Sequence, residues 1–204
     1  MTRRRSETCR VAVLDATVEI MEERGYLALT VEEVARRAHA GKQTIYRHWG
    51  GKQRLALDAF AHKMASHLTA PDHGNVHDDL RAFVDELVVA VRAPNKSMLI
   101  AGLLAEAHAD PEFGRAFRDA YIATKRRPLL TVFQRAIARG ELTAEADLDV
   151  MVDLTYGPVW YRLLFTGAGL DDAFVDGLIA AVIRSARPLP SRPAAEGARP
   201  DLAH

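Results

Sequence analysis

The sequence predicts an all-α protein of about nine helices. Apolar residues recur at helical spacing almost throughout the 204 residues, whereas β-branched residues are scattered and no alternating pattern of strand type persists. Glycine and proline stand where helices end and begin, which divides this pattern into segments of helical length. With 49% apolar side chains the chain can bury a full core, so the composition excludes a disordered, collagen-like or disulfide-stapled protein.

Charge is distributed unevenly, although 27 Lys and Arg balance 27 Asp and Glu. Residues 1–54 contain eleven basic and seven acidic side chains, and the remainder contains sixteen basic and twenty acidic ones. A basic head on an acidic body indicates that one end meets a polyanion. No apolar stretch approaches the roughly 20 residues that span a bilayer, and no signal peptide is recognisable. We therefore expect a cytoplasmic protein without a membrane partner.

The N-terminal part reads as three helices followed by a longer connecting helix. The first helix is predicted from about Ser6 to Arg24, where Gly25 offers a left-handed C-cap. Thr30 and Glu33 have the spacing of a capping box, which predicts that a short second helix begins there and runs to about Ala38. A third short helix is predicted over about residues 42–48, and glycines at 50 and 51 end it.

The remaining chain is predicted to form a larger helical domain. Its helices are expected at about residues 52–68, 77–92, 95–109, 111–139, 148–166 and 171–186. Pro128 and Pro158 fall inside apolar periodic segments and are expected to kink their helices. We therefore divide the chain into a head at 1–51, a body at 52–187 with residues 52–68 as connecting helix, and a disordered tail at 188–204.

The second and third helices, with a turn of about three residues, have the arrangement of a helix-turn-helix. Ile45 and Trp49 are predicted to face the core, and the rest of the third helix offers hydrogen-bonding side chains without a single acid. The side chains predicted to contact DNA are Thr30, Lys42, Gln43, Thr44, Tyr46, Arg47, His48 and Lys52. Those at the start of the third helix are placed for base edges, and the later ones for phosphates. Lys52 begins the next helix, whose N-terminus favours a phosphate.

These residues carry a resemblance. The segment TVEEVARRAHAGKQTIYRHWGGK, residues 30–52, resembles the DNA-binding head of the tetracycline-repressor-like (TetR) family of bacterial transcriptional regulators. The resemblance implies a homodimer that binds an inverted repeat in double-stranded DNA, usually as a repressor released by a small-molecule effector. His39 stands where the family commonly has glycine, and Gly41 stands where it has a small polar N-cap. His tolerates the left-handed region and Gly is an acceptable N-cap, so the turn is still expected to form.

The head begins with a basic arm, Arg3, Arg4 and Arg5, ahead of the first predicted helix. They admit two interpretations, as an arm that follows the minor groove or the backbone of DNA, and as a merely solvating terminus. Glu32 is also ambiguous, since it could accept from a cytosine amine or serve as an exposed charge at the start of the second helix. We favour the second interpretation for Glu32.

The body contains more large side chains than support of a small head requires. Phe117, Tyr121, Tyr156 and Trp160 are the predicted lining of an apolar effector pocket, because two of their helices carry an internal proline. Ordinary core packing is the alternative for each of them. The sequence alone also leaves open a constitutive or architectural DNA-binding protein that responds to no effector.

The last two helices are broadly apolar. Leu178 and Val182 lie on one face of the final helix, and Ile179 and Ile183 lie on the adjoining face, which predicts a stripe too wide for a single neighbour. In the family the corresponding pair forms a four-helix bundle across a two-fold axis, so we assign these four residues to a homodimer interface. The alternative is a terminal helix that is buried wholly within its own subunit.

The sequence carries none of the common motifs of enzyme active sites. The chain has no Gly-rich phosphate loop, no His-Glu-x-x-His helix and no nucleophile elbow. We therefore predict no catalytic residues, no cofactor and no metal site.

Overall fold

A computed structural model describes residues 2–63, 68–93 and 95–186 of the chain, and it is all-α over these ranges. Four helices form the N-terminal part: α1 (Thr2–Arg24), α2 (Val31–Arg37), α3 (Lys42–Trp49) and α4 (Lys52–Lys63). Six follow: α5 (Val76–Val91), α6 (Lys96–Ala109), α7 (Pro111–Phe117), α8 (Ala123–Ala138), α9 (Leu148–Tyr161) and α10 (Asp172–Ser185). The predicted tail at 188–204 and the end of the connecting helix at 64–67 lie outside the described residues.

The predicted helix over residues 111–139 is divided by a π-turn at Arg118–Ile122, and a second π-turn at Arg162–Thr166 follows α9. This is why ten α-helices replace the predicted nine within the described ranges. A π-turn keeps the helical direction but widens one turn, so it leaves little trace in an apolar pattern. Pro128 lies inside α8 and Pro158 inside α9, as predicted.

Two hydrophobic clusters hold the helices together. The first cluster contains side chains of the four N-terminal helices, α1, α2, α3 and α4, together with side chains of α6 and α7 such as Leu103 and Phe113. The second is formed by α5, α8, α9 and α10. The first cluster therefore crosses the predicted head–body division at residue 52, because α6 and α7 pack directly against the head. That division is still a prediction.

A carboxylate is buried on α5, a helix of the second cluster. Asp79 of α5 is fully buried and accepts hydrogen bonds from Arg139 Nη2 at 2.9 Å and from the backbone N–H of His73. A buried charge is stable only when it is paired. Asp79 thus fixes the loop before α5 and the end of α8 at one point.

Within the described residues, no single helix is both long enough and apolar enough to cross a bilayer. The pair α5 and α6 satisfies length and composition only when taken together, and the two helices meet at 86°.

Candidate nucleic-acid interface and effector cavity

The turn between α2 and α3 is a Schellman motif. The N–H of Ala40 donates to Ala35 O at 2.9 Å, and the N–H of His39 donates to Arg36 O at 3.4 Å. His39 has φ of +50°, the left-handed conformation that glycine adopts at least cost, and Gly41 is the extended N-cap of α3. The turn therefore forms with His39 in the position where the family commonly has glycine, as the sequence analysis expected.

The buried face of α3 is held by two side chains. Ile45 and Trp49 are buried in the first cluster, which confirms the prediction that they face the core. Trp49 also donates from Nε1 to Asp58 Oδ2 of α4 at 3.1 Å. Gly50 ends the helix in the left-handed region with φ of +72°. These contacts fix the rotation of α3 about its axis, and with it the side chains that α3 presents to solvent.

The outer face of α3 presents to solvent most of the side chains that were predicted to contact DNA. Its exposed side chains are Lys42, Gln43, Tyr46, Arg47 and His48, and Thr44 is half-buried. His48 Nδ1 lies 2.7 Å from the carbonyl oxygen of Thr44. Because a carbonyl can only accept, Nδ1 carries the proton and Nε2 is the atom left for a partner. The face combines cationic, amide and phenolic groups and carries no acid.

The basic residues of α2 are engaged with acids. Arg37 makes two hydrogen bonds to Glu23 of α1 at 2.7 and 2.8 Å, and Arg36 makes two to Glu33 at 2.9 and 2.7 Å. Thr30 Oγ1 accepts from Glu33 N at 3.2 Å, so half of the predicted capping box forms. The other half does not, because the Glu33 carboxylate turns to the Arg36 guanidinium. Because the arginines of α2 are paired with glutamates, we expect contacts with the phosphate backbone of DNA mainly from α3.

The two lysines among the predicted DNA contacts also have partners within the protein. Lys42 pairs with Glu32 at 3.3 Å, with both side chains exposed to the same extent. The pKa of Glu32 is lowered by a backbone hydrogen bond and by Lys42. Lys52 Nζ lies 4.4 Å from the centre of the Tyr26 ring and donates to Leu27 O at 3.3 Å, and burial lowers its pKa. Lys52 must therefore turn away from Tyr26 before it can contact a phosphate.

Tyr26 also packs the head against α6, a contact that the sequence analysis missed. A Cβ built on Gly102 would lie only 2.9 Å from Tyr26 Cβ, so the missing side chain permits this approach. Nearby, Gln53 Nε2 donates to Glu106 Oε1 and to Asp110 Oδ2, both at 2.8 Å. We call these residues the head–body junction. A glycine inside a helix such as α6 is the signal that could have revealed it.

The four predicted effector residues are not all in one place. Tyr121 and Tyr156 line a small cavity of about 30 Å³. The other lining residues are Leu68, Leu87, Ala90, Val91, Lys96 and Lys125. Phe117 lies in an aromatic stack with its ring centre 6.0 Å from that of Phe60, and Trp160 packs where the two clusters meet. Phe117 and Trp160 are therefore not among the residues that line this cavity.

The predicted dimer residues occupy a different place from the one expected. Leu178, Ile179 and Val182 are buried in the second cluster of their own subunit, and Ile183 is partly buried at its edge. These side chains therefore do not form an exposed stripe, because α5 and α9 cover them. The prediction that Leu178, Ile179, Val182 and Ile183 form an exposed apolar stripe is therefore wrong.

The exposed apolar stripe lies on α9 and the π-turn that follows it. Its members are Val150, Leu154, Tyr161 and Phe165, with Tyr161 59% and Phe165 78% exposed. Their spacing of four, seven and four places them on one helix face. Tyr161 and Phe165 also stack on each other, with ring centres 5.8 Å apart. The face is large, apolar and uncovered by the described part of its own subunit.

No set of three or more His, Cys, Asp or Glu side chains within the described ranges is arranged to hold a metal ion.

The chain is similar to known DNA-binding proteins over nearly its whole length. Residues 13–59 match the family described as "Bacterial regulatory proteins, tetR family", and residues 70–182 match "Tetracyclin repressor-like, C-terminal domain". The uncharacterized HTH-type transcriptional regulator YdeS of Bacillus subtilis is 30% identical over 177 residues, which cover 87% of this chain and 89% of that protein. The DNA-binding transcriptional repressor TetR of Mycobacteroides abscessus is 30% identical over 182 residues, which cover 88% of this chain and 94% of that protein. The crystal structure of the TetR family transcription regulator SCO0332 superposes with a TM-score of 0.73 at 31% identity, covering 88% of this chain and 99% of that one.

Proposed function

Since the chain belongs to the tetR family of bacterial transcriptional regulators, we propose that it is a homodimeric repressor that leaves its operator when a small molecule enters the body. Members of the family are regulators and not enzymes, in agreement with the absence of catalytic motifs from the sequence. The observation that carries the proposal is the acid-free outer face of α3, held in a fixed rotation by Ile45 and Trp49. The similarity to a protein named as a repressor supports the sign of regulation.

DNA binding is assigned to the outer face of α3, with Thr30 and Lys52 at its edges. Lys42 and Gln43 at the start of α3 are proposed to reach base edges, where an amide pairs with adenine and an ammonium with guanine. Tyr46, Arg47 and His48 are proposed to contact phosphates. On each subunit three to four phosphates would be neutralised, so that the logarithm of affinity falls with the logarithm of salt concentration with a slope of about −6.

A second copy of the chain is proposed to cover the apolar stripe on α9. The outward face of the neighbouring α10 carries small, exposed residues, Ala173, Gly177 and Ala181. Small residues allow close approach of a partner helix. A pair of such helices from each subunit would form a four-helix bundle of the standard interface size, about 800 Å² per partner. Two heads on a two-fold axis then read an inverted repeat.

Effector control is assigned to the cavity lined by Tyr121 and Tyr156. In its present volume the cavity holds little more than a water-sized group, so a ligand must separate the surrounding helices in order to enter. A ligand that prefers this opened body lowers DNA affinity, and by linkage DNA lowers the affinity for that ligand by the same factor. A hundred-fold release of the operator requires about 2.7 kcal/mol of such preference, at about 1.4 kcal/mol per factor of ten.

The first test is selection of duplexes from a random DNA pool, followed by titration of the enriched site. We expect an inverted repeat, with Gln43→Ala changing the preferred sequence and Arg47→Ala weakening all sequences alike. Arg127→Ala is the matched control, since Arg127 is an exposed arginine on α8, far along the chain from the head. Enrichment of no inverted repeat, or affinity that is insensitive to salt, would contradict the proposal.

The second test concerns the dimer. Phe165→Glu and Leu154→Arg are each expected to give a folded monomer that binds the operator poorly, because a single head reads only half of the site. Val89→Glu is the control, since Val89 is 73% exposed but lies on α5, away from the stripe. Sedimentation of the wild type as a monomer at micromolar concentration, or dimers unaffected by both stripe variants, would refute this assignment.

A further inference from the structure

An ion pair joins the starts of the two helices of the helix-turn-helix. Lys42 is the first residue of α3, and its Nζ lies 3.3 Å from Oε1 of Glu32, the second residue of α2. Both side chains are 56% exposed, so the pair is open to solvent beside the outer face of α3. Exposed ion pairs of this kind contribute little to stability. The fold therefore does not depend on this pair, and its two charged groups remain accessible to a partner of the helices.

The acid of this pair opposes binding of the phosphate backbone. A carboxylate beside a polyanion adds repulsion, and the charge of Glu32 cancels that of Lys42. The two side chains together therefore add little to the general attraction between α3 and DNA. They can still add a preference for sequence, because base edges are read by hydrogen bonds and not by net charge.

Both groups of the pair keep hydrogen-bonding capacity for a further partner. A hydrogen bond to its own backbone N–H and the nearby Lys42 lower the pKa of Glu32, so its carboxylate is ionised at neutral pH. An ionised carboxylate only accepts, at about four sites, and an ammonium donates through its three N–H groups. The contact between Glu32 and Lys42 occupies at most one site on each group. Donors on Lys42 and acceptor sites on Glu32 are therefore left side by side.

The major-groove edge of a G·C base pair is complementary to this arrangement. It presents two neighbouring acceptors, guanine N7 and O6, followed by the amine donor of cytosine N4. Guanine O6 and cytosine N4 are hydrogen-bonded to each other, so their separation is close to the 3.3 Å between Lys42 Nζ and Glu32 Oε1. An A·T pair instead presents its amine donor between two acceptors, and offers no neighbouring acceptors to one ammonium.

We propose that Glu32 and Lys42 read one G·C base pair together, with the ammonium on guanine O6 and N7 and the carboxylate on the cytosine amine. This rests on the proposed DNA binding and adds Glu32 as a specificity-determining residue. The sequence analysis favoured an exposed charge at the start of α2 for Glu32. The contact with Lys42 instead places its carboxylate beside the outer face of α3. Because each side chain holds the other, the choice of base by one depends on the presence of the other.

The test measures base preference at each position of the selected DNA site. Every base pair of one half-site is replaced in turn by the other three, and affinities are measured by fluorescence anisotropy for the wild type, Glu32→Gln and Lys42→Met. We expect one G·C position at which the wild type discriminates by at least about tenfold, within the range of a good base contact. Both variants are expected to lose most of this discrimination at that same position. Glu32→Gln is also expected to bind duplexes without the site more tightly than the wild type, because a negative charge is removed.

Two further variants separate a shared contact from an effect of charge alone. The double variant of Glu32→Gln and Lys42→Met is expected to lose no more discrimination than either single variant, because both side chains read the same base pair. Glu112→Gln removes one negative charge from an exposed position of α7 and is the control matched in charge. It is expected to leave both base preference and binding to other duplexes unchanged. Circular dichroism of each variant establishes that it is folded.

The outcomes distinguish this inference from the proposed function. Base preferences that are unchanged in Glu32→Gln, or an equal loss of affinity for all sequences, would show that Glu32 has only a structural role. Changes at different positions in the Glu32 and Lys42 variants would overturn the shared reading. Selection that enriches no duplex contradicts the proposed DNA binding itself, whereas an enriched inverted repeat without the G·C preference refutes only the assignment of Glu32 and Lys42.

Discussion

Gly102→Ala tests whether the head–body junction sets the position of the head. The added Cβ would lie 2.9 Å from Tyr26 Cβ and 3.3 Å from its backbone nitrogen, whereas carbon atoms in ordinary contact are about 3.5 to 4.0 Å apart. The head and α6 must therefore separate by roughly 0.5 to 1 Å. Overpacking of this kind costs about 1 to 3 kcal/mol, and the better helix propensity of alanine returns about 1 kcal/mol. We expect a net loss of about 1 kcal/mol in the free energy of unfolding.

The effect on DNA binding is expected to exceed the effect on stability. Tyr26 contacts Lys52 as well as α6, so its displacement is expected to shift the start of α4 and, in the proposed dimer, the angle between the two heads. We expect an approximately tenfold loss of operator affinity by fluorescence anisotropy, beside the stability measured in urea. Ala101→Ser adds one heavy atom at an exposed position of the same helix and serves as control. A Gly102→Ala protein that is more stable than the wild type, with unchanged affinity, would refute the reasoning.

Three further predictions concern stability and are measured by urea unfolding. His39→Gly is expected to stabilise the protein by about 0.5 kcal/mol, because glycine relieves the left-handed strain at φ of +50° but loses more conformational entropy on folding. A destabilised variant would show that the His39 side chain contributes a contact of its own. Asp79→Ala is expected to lower the free energy of unfolding by about 3 kcal/mol, since it removes the fully buried partner of Arg139. A decrease below about 1 kcal/mol would mean that the fold does not need this carboxylate. Burial lowers the pKa of Lys96 in the folded protein to about 8, against an ordinary 10.5, so the unfolded chain binds more protons between these two pH values. The free energy of unfolding should therefore rise with pH in this range, by about 1 to 2 kcal/mol after allowance for solvent screening. Lys96→Met should remove this rise, and an equal rise in both proteins would exclude Lys96 as its origin.

The parts of the structure that local patterns encode were predictable, and the parts set by distant packing were not. Ile45 and Trp49 follow from helical periodicity, and the cap at Thr30 follows from a local hydrogen bond. Ile179 also lies in an apolar pattern, but the pattern cannot show whether α9 of the same subunit or a second subunit covers it. The stripe on α9 was missed because Tyr161 and Phe165 resemble core residues in sequence.

The lysines of the cavity were missed for a similar reason. Lysine on a helix is ordinarily a solvated charge, and Lys96 and Lys125 are far apart in sequence on helices that meet only in the folded chain. The helix starts predicted at residues 77, 148 and 171 each lie within one residue of the observed starts, Val76, Leu148 and Asp172. In the structure Asn75, Asp147 and Asp171 cap these helices with side-chain oxygens, which is a local signal. Burial of a charged residue, in contrast, depends on every neighbour at once.

Helix α6 carries Lys96 at one end and the head–body junction at the other. Glu106 lies ten residues after Lys96, about 15 Å along the axis at 1.5 Å per residue, and neither of these side chains belongs to the outer face of α3. Under the proposed effector control, substitutions around Lys96 are therefore expected to alter which molecule is sensed without changing which DNA sequence is read. Because the two ends of α6 are separate, the ligand specificity of the proposed sensor could be changed by redesigning the Lys96 end alone. Gly102 and Glu106 would be retained so that α6 keeps its contact with the head.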